Sequence, residues 1–312
     1  MTHATALLFP GQGSQESGMG RDLAESRKDI MEIWKKGERI SGLPLREIYW
    51  EGDAEAMADT RSLQPALTVA NIALWHAVSD KLSPLCAAGH SLGEYSAFAA
   101  ASVLAVDAVL ELVSLRGRLM ADADPSGKGA MAALLKLSRE DAEAAVAEAK
   151  EASGEMLLIA NYNTPAQFVA SGTKSAIEAV QESARSRKGR AVPLAVSGAF
   201  HSPLMDEAAK ELGIALSKVS WSKARFPVFC NVTGQAATEA DELKALALRQ
   251  MTSSVLWIDT IRAQYQAGAR RFVECGPKNV LSKMVSPILG TEAEGVEIVS
   301  VNSAEAAESF AR

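Results

Sequence analysis

Leu85-Cys-Ala-Ala-Gly-His-Ser-Leu-Gly-Glu-Tyr-Ser-Ala97 decides how this chain is read. Residues 85–88 are a short apolar run of strand length, stopped by Gly89, and residues 92–101 are Ala-rich and helical. Between them, Gly89-His-Ser-Leu-Gly93 fits G-x-S-x-G. Strand, sharp turn and helix are the setting of a nucleophile elbow. The two glycines permit the turn and a close backbone approach. The Ser91 hydroxyl then sits at a helix N-terminus, where free N–H groups can stabilise an oxyanion. Five residues of this kind also recur by chance in a Gly- and Ala-rich chain, so the flanking strand and helix give the pattern its weight.

Outward from the elbow, strands and helices alternate. Residues 4–9 are apolar and run into Pro10-Gly11, the signature of a buried strand entering a Gly-rich loop. Residues 64–79 and 106–121 have helical periodicity. Such alternation implies a parallel sheet with helices on its faces. Residues 122–129 carry the Pro, Gly and polar content of a domain crossing. The segment after it reads as a unit of its own. It has a strand at 130–135, a helix at 140–151 opened by Ser138 and Asp141, strands at 156–161 and 167–171 around the turn Asn163-Thr-Pro165, a helix at 174–185 and a closing strand at 191–196. That order, βαββαβ, is ferredoxin-like. Alternation then resumes, with a helix from Pro203, a strand at 228–231, a helix at 257–266, a strand at 271–274, a helix after Pro277 and a last strand at 296–301. The expected fold is α/β. A large parallel-sheet, α/β-hydrolase-like subdomain (residues 1–125 and 197–312) carries an inserted small ferredoxin-like subdomain (residues 126–196).

Composition narrows the function classes. A chain of 312 residues with net charge −6 can bury a sizeable core and lacks the basic footprint of a nucleic-acid binder. No basic segment and apolar core mark a signal peptide, and the most apolar stretch, residues 97–113, contains Asp107 and Glu111, so no membrane span is expected. Cys86, Cys230 and Cys275 are scattered, as buried free thiols of a reducing compartment would be, which points to the cytoplasm. No His, Cys and carboxylate cluster has metal-ligand spacing. Two decoys fail. Gly11-Gln-Gly13 lacks the third glycine of a dinucleotide loop, because Glu16 stands there. Ser171-Gly-Thr-Lys-Ser175 lacks the glycine before Lys174 that a phosphate-binding loop needs.

A nucleophilic serine needs a base. The chain has four histidines. His3 lies at an unanchored terminus and His90 is the neighbour of Ser91, pointing away from it. His76 falls mid-helix, where packing is the ordinary role. His201 lies in Ser197-Gly-Ala-Phe-His-Ser-Pro203, a turn-rich junction where a base is expected. His201 leads and His76 stays open. A thioesterase or esterase of α/β-hydrolase type, with an acid between Ser91 and the histidine, is the competing reading.

Three segments carry a family resemblance: Phe9-Pro-Gly-Gln-Gly-Ser-Gln15, Gly89-His-Ser-Leu-Gly-Glu-Tyr-Ser-Ala97 and Gly198-Ala-Phe-His-Ser202. Arg116-Gly-Arg-Leu-Met120, Gly129-Ala-Met-Ala132, Asn161-Tyr-Asn-Thr-Pro165 and Gly276-Pro277 add to it in the same order. From about residue 7 to 285 the chain resembles the malonyl-CoA:acyl carrier protein transacylases of fatty acid synthesis. The resemblance implies malonyl transfer through a Ser–His pair, with Ser91 as nucleophile and His201 as base. It implies that backbone carbonyls near Gln250 orient the histidine, and that the N–H groups of Gln12 and Leu92 form the oxyanion hole. Gln12, Gln64, Met120 and Asn161 match substrate-pocket positions.

Arg116, flanked by Leu112, Val113, Leu115 and Leu119, would face the free carboxylate of malonyl in fork geometry. Phe200 would crowd the α-methyl group of methylmalonyl. The implied substrates are malonyl-CoA, a coenzyme A thioester, and phosphopantetheinylated acyl carrier protein, with no cofactor and a monomeric enzyme. A polyketide-type acyltransferase of broader acyl range is the nearby alternative. Arg185-Ser-Arg-Lys-Gly-Arg190 is a basic island suited to an acidic carrier. Two departures stand out: Gly276-Pro-Lys-Asn279 replaces the usual Gly-Pro-Gly-Lys, and Leu256 stands where relatives often carry a polar residue.

Overall fold

Thr5–Phe9 (β1) is buried at every position, as a strand covered on both faces must be. The computed structural model describes residues 4–196 and 198–310; His3 and Ser197, the expected start of the second large segment, lie outside them. After β1 come Arg21–Ser26 (α1), Lys28–Ser41 (α2), Thr60–Val78 (α3), Pro84–Gly89 (β2), Gly93–Ala100 (α4) and Val106–Asp122 (α5). The middle of the chain holds Gly129–Leu135 (β3), Arg139–Ser153 (α6), Leu157–Thr164 (β4), Gln167–Thr173 (β5), Lys174–Ser186 (α7) and Arg190–Pro193 (β6). The last stretch holds Asp206–Lys218 (α8), Val228–Phe229 (β7), Ala236–Ala237 (β8), Ala240–Gln250 (α9), Trp257–Gln266 (α10), Arg271–Cys275 (β9), Ser282–Leu289 (α11), Glu297–Val301 (β10) and Ala304–Glu308 (α12).

Two sheets result. The larger has six strands in the order β10-β9-β1-β2-β7-β8. Its first five strands pair in parallel, and β8 adds an antiparallel edge. The smaller is antiparallel throughout, in the order β4-β5-β3-β6, with α6 and α7 packed together beside it. This is the βαββαβ arrangement expected from the sequence. The small sheet is tied to the segment before α10. Tyr162 donates its N–H to the Val255 carbonyl (3.0 Å), and the Val255 N–H returns to the Ala160 carbonyl (2.8 Å). Among the described residues, no helix is long and apolar enough to cross a membrane.

The structure moves several expected boundaries. α3 begins at Thr60 because Asp59 caps it, accepting from the Arg61 N–H. Pro65 lies inside that helix, and Gly117 of α5 packs so close that a Cβ there would stand 2.7 Å from the Thr60 carbonyl oxygen. β4 runs to Thr164, so the hairpin turn falls at Pro165 and Ala166 rather than at residues 163–165. The strand expected at 228–231 shrinks to two residues, because the Asn231 N–H leaves the sheet for the Glu94 carboxylate (2.6 Å). β6 stops at Pro193, and a single further bond, from the Leu194 N–H to the Met131 carbonyl (2.9 Å), follows it. α2, unanticipated, is amphipathic, with Ile30, Trp34 and Gly37 buried on one face.

Candidate active site

Parallel register brings the carboxyl ends of three strands together. Phe9 of β1 lies beside Gly89 of β2, and Ala88 beside Phe229 of β7. The His90 N–H donates to the Phe9 carbonyl (2.9 Å), which sets the elbow against the Gly11 loop. Both elbow glycines are demanded by contact. A Cβ on Gly89 would stand 1.9 Å from the Gly93 carbonyl carbon, and one on Gly93 2.0 Å from the Phe9 carbonyl oxygen. Ser91 itself takes φ 50°, the left-handed region that an L-residue enters at a cost. Since the neighbours of Gly93 are backbone and cannot step aside, Gly93→Ala is expected to destabilise the fold by about 3 kcal/mol or more, read as a lower urea midpoint. An unchanged midpoint would mean the turn is slack.

The Ser91 hydroxyl faces His201 Nε2 at 2.7 Å. His201 Nδ1 lies 3.1 Å from the Gln250 carbonyl and 3.0 Å from the Ser253 carbonyl. Two acceptors fix the proton on Nδ1, so Nε2 is the basic nitrogen and accepts from Ser91. Burial first, then the Arg116 guanidinium, hold the His201 pKa down to about 3. The imidazole is therefore neutral at physiological pH. Among the described residues, the partners of Nδ1 are these two carbonyls and not the carboxylate that the hydrolase reading requires. His76, the sequence alternative, is half-exposed and paired with Asp29 (3.2 Å). His90 is engaged elsewhere, its Nε2 2.8 Å from Asn163 Oδ1 and its ring edge-on to Trp257, although it too lines the cavity over the serine.

Arg116 is only 1% exposed. Its Nη1 donates to Gln64 Oε1 (2.8 Å), and its Nη2 to Ser91 Oγ (3.2 Å) and Gln250 Oε1 (3.4 Å). The guanidinium also stands over the Tyr95 ring, 5.8 Å from its centroid. Gln64 is fully buried and does not line the cavity; it holds Arg116 from behind while its own amide meets Met120 Sδ (3.2 Å). Gln250 contributes three contacts, since its side-chain amide also donates to the Ser91 carbonyl (2.8 Å).

The cavity over these groups is small, about 100 Å³. Gln12, Leu92, Met120, Asn161, Phe200 and His201 line it with Ser91 and Arg116. Met131, Leu194 and Val196, which sequence reasoning passed over, line it too. Among the described residues, the backbone N–H groups of Gln12 and Leu92 donate to no protein acceptor. The Gln12 side chain reaches Thr60 Oγ1 (3.3 Å).

A model of the acyl transferase domain matches residues 6–305. This chain belongs to the acyl transferase family. Within that family it is 37% identical over 309 residues to the malonyl CoA-acyl carrier protein transacylase of Haemophilus influenzae, covering 98% of both chains. The crystal structure of an acyl carrier protein S-malonyltransferase from Vibrio cholerae superposes with a TM-score of 0.91 at 35% identity, over 97% of this chain and 98% of that one. A malonyl-transacylase solved in complex with its type II polyketide acyl-carrier protein gives 0.92 at 32% identity, covering 98% of each chain.

Against the family pattern, Lys278 and Asn279 both take positive φ, 64° and 48°, so the turn keeps a left-handed course without the usual glycine. Leu256 caps α10 and sends its N–H to the Asn231 carbonyl (2.9 Å). Half of the basic island is already neutralised: Arg185 pairs with Glu182 (2.9 Å) and Arg187 with Glu148 (2.6 Å). Asn231, Glu94, Asn163 and Ser253 were missed in the sequence. The only usable signal was for Asn231, a polar residue closing the apolar run at 228–230, where parallel strands present functional groups.

Proposed function

We propose that this acyltransferase moves a malonyl group from malonyl-CoA to the phosphopantetheine thiol of acyl carrier protein, supplying extender units for fatty acid synthesis. Ser91 Oγ attacks the thioester carbonyl as its proton passes to His201 Nε2. The N–H groups of Gln12 and Leu92 receive the developing oxyanion. The coenzyme A thiolate leaves and takes the proton from His201. The carrier thiol then gives its proton to the same nitrogen and attacks the malonyl-serine ester, and Ser91 departs reprotonated. Atoms and protons balance without a cofactor.

The observation that carries the reading is Arg116: a buried guanidinium hydrogen-bonded to the nucleophile itself. A carboxylate on the acyl group would find its charge partner there, with Phe200 limiting width at the neighbouring carbon. The relative solved with its carrier protein supports acyl carrier protein as acceptor. We read the enzyme as a cytoplasmic monomer in which residues 126–196 form a subdomain over the catalytic one. Intact mass after malonyl-CoA, methylmalonyl-CoA and acetyl-CoA in parallel tests it. Wild type is expected to gain a stable malonyl adduct, with little methylmalonyl or acetyl, and Ser91→Ala none. Rapid thioester hydrolysis without any acceptor thiol would point to a hydrolase instead.

A further inference from the structure

We propose that Asn231 is a positioning residue for the nucleophile, holding the elbow through its side-chain amide while Glu94 holds Asn231. The inference rests on Ser91 being the acylated group. Ser91 sits at φ 50°, a conformation that persists only where its surroundings over-determine it. Asn231 supplies that constraint. Its Oδ1 accepts the Ser91 N–H (2.7 Å), and its Nδ2 donates to the Gly89 carbonyl (2.7 Å). One amide thus spans the turn from the first residue of the elbow to its apex.

Asn231 is itself locked at both backbone groups. Its N–H donates to Glu94 Oε2 (2.6 Å) and its carbonyl accepts from the Leu256 N–H (2.9 Å). Both Asn231 and Glu94 are fully buried. Glu94 lies in the first turn of α4, the helix that the elbow feeds, so the clamp closes a ring from strand end through serine to helix start. The clamp also assigns the amides: with the Ser91 N–H occupied, the oxyanion is left to the N–H groups of Leu92 and Gln12.

The test is single-turnover acylation of Ser91 by malonyl-CoA, followed by intact mass, with near-UV circular dichroism reporting native packing. Asn231→Ala is expected to lower the maximal acylation rate about a hundredfold, with half-saturating malonyl-CoA within about threefold of wild type, as misplacement of a reacting atom does. Asn231→Asp keeps the shape. Protonated, it can still donate to the Gly89 carbonyl; ionised, it cannot, and it sets a second carboxylate beside Glu94. The charged and titratable groups around that position are Glu94 on α4, Arg116 on α5, His201 on the serine hydroxyl and, near Cys230, Glu242 on α9.

Acylation by Asn231→Asp is therefore expected to approach the wild-type rate at pH 5 and to fall at least about tenfold below the wild-type rate measured at the same pH by pH 8. A structural role alone would lower thermal stability in both variants and leave the acylation rate of the native fraction and its pH profile unchanged. That result overturns the assignment. Absence of any adduct on wild type would instead overturn the malonyl reading, and this inference with it.

Discussion

Arg116→Ala is expected to lower kcat/KM for malonyl-CoA by on the order of 10²–10³, while acetyl transfer persists or rises. An acetyl group supplies no charge partner for the buried Arg116, yet it does not leave the guanidinium bare. Gln64 and Gln250 offer it neutral acceptors, so the uncharged acyl group faces a solvated guanidinium in miniature rather than a bare one. Discrimination then comes from what the glutamines cannot supply, a full negative charge. A paired carboxylate adds charge-assisted hydrogen bonds of about 1.5–3 kcal/mol each, and two of them at the lower end, about 3–4 kcal/mol together, account for the expected range. Alanine also removes the cationic donor that engages Ser91 Oγ at 3.2 Å, while the Ser91 O–H keeps its bond to His201 Nε2, so acetyl transfer can continue. Arg116→Lys keeps the charge but not the fork and should fall between the two. Competition between the two thioesters measures this directly, and an unaltered malonyl-to-acetyl ratio in the alanine variant would sink the assignment.

How far the site could be read in advance depended on distance along the chain. The elbow was legible because strand, turn and helix lie within 13 consecutive residues and obey local rules. β1 and the insert were legible through apolar runs and the Ser138 cap. α2 was not, although its buried face repeats cleanly, because no cap side chain announces its start at Arg27. The groups that hold the site together were invisible for a different reason. Asn231 meets Ser91 across 140 positions, and Gln250 meets it across 159. Only the tertiary fold, strand order for Asn231 and the end of α9 for Gln250, makes them neighbours. Gln64 shows the limit from the other side: it was singled out as a pocket residue, and it stands one shell back, against the arginine.

Removing the proposed base is expected to have the larger effect. His201→Ala should slow Ser91 acylation by on the order of 10⁴, the upper end of what a positioned general base supplies. Its pH dependence is the sharper test. A base works when unprotonated, and His201 is held near 3, below the ordinary imidazole value, by burial and by Arg116. Acylation by acetyl-CoA should therefore be flat from about pH 7 down to about pH 4.5 and decline only as pH approaches the His201 value. A limb centred near 6.5 would mean that the imidazole is solvated as in free histidine.

Arg116→Ala removes the second cause of the depression, so in that variant the limb should move upward. Stability is a poorer readout, because two buried groups oppose each other. The unfolded chain protonates His201 below about 6.5 while the native state does not, so the stability tied to neutral His201 is lost as pH falls from there toward 3. Glu94 runs the other way. Burial raises its carboxyl to about 7, so the native state keeps a proton that the unfolded chain releases near 4.5, and its contribution weakens as pH rises between those values. Across pH 4.5–6.5 the two slopes cancel in part, whereas the acylation rate reads His201 at the serine itself.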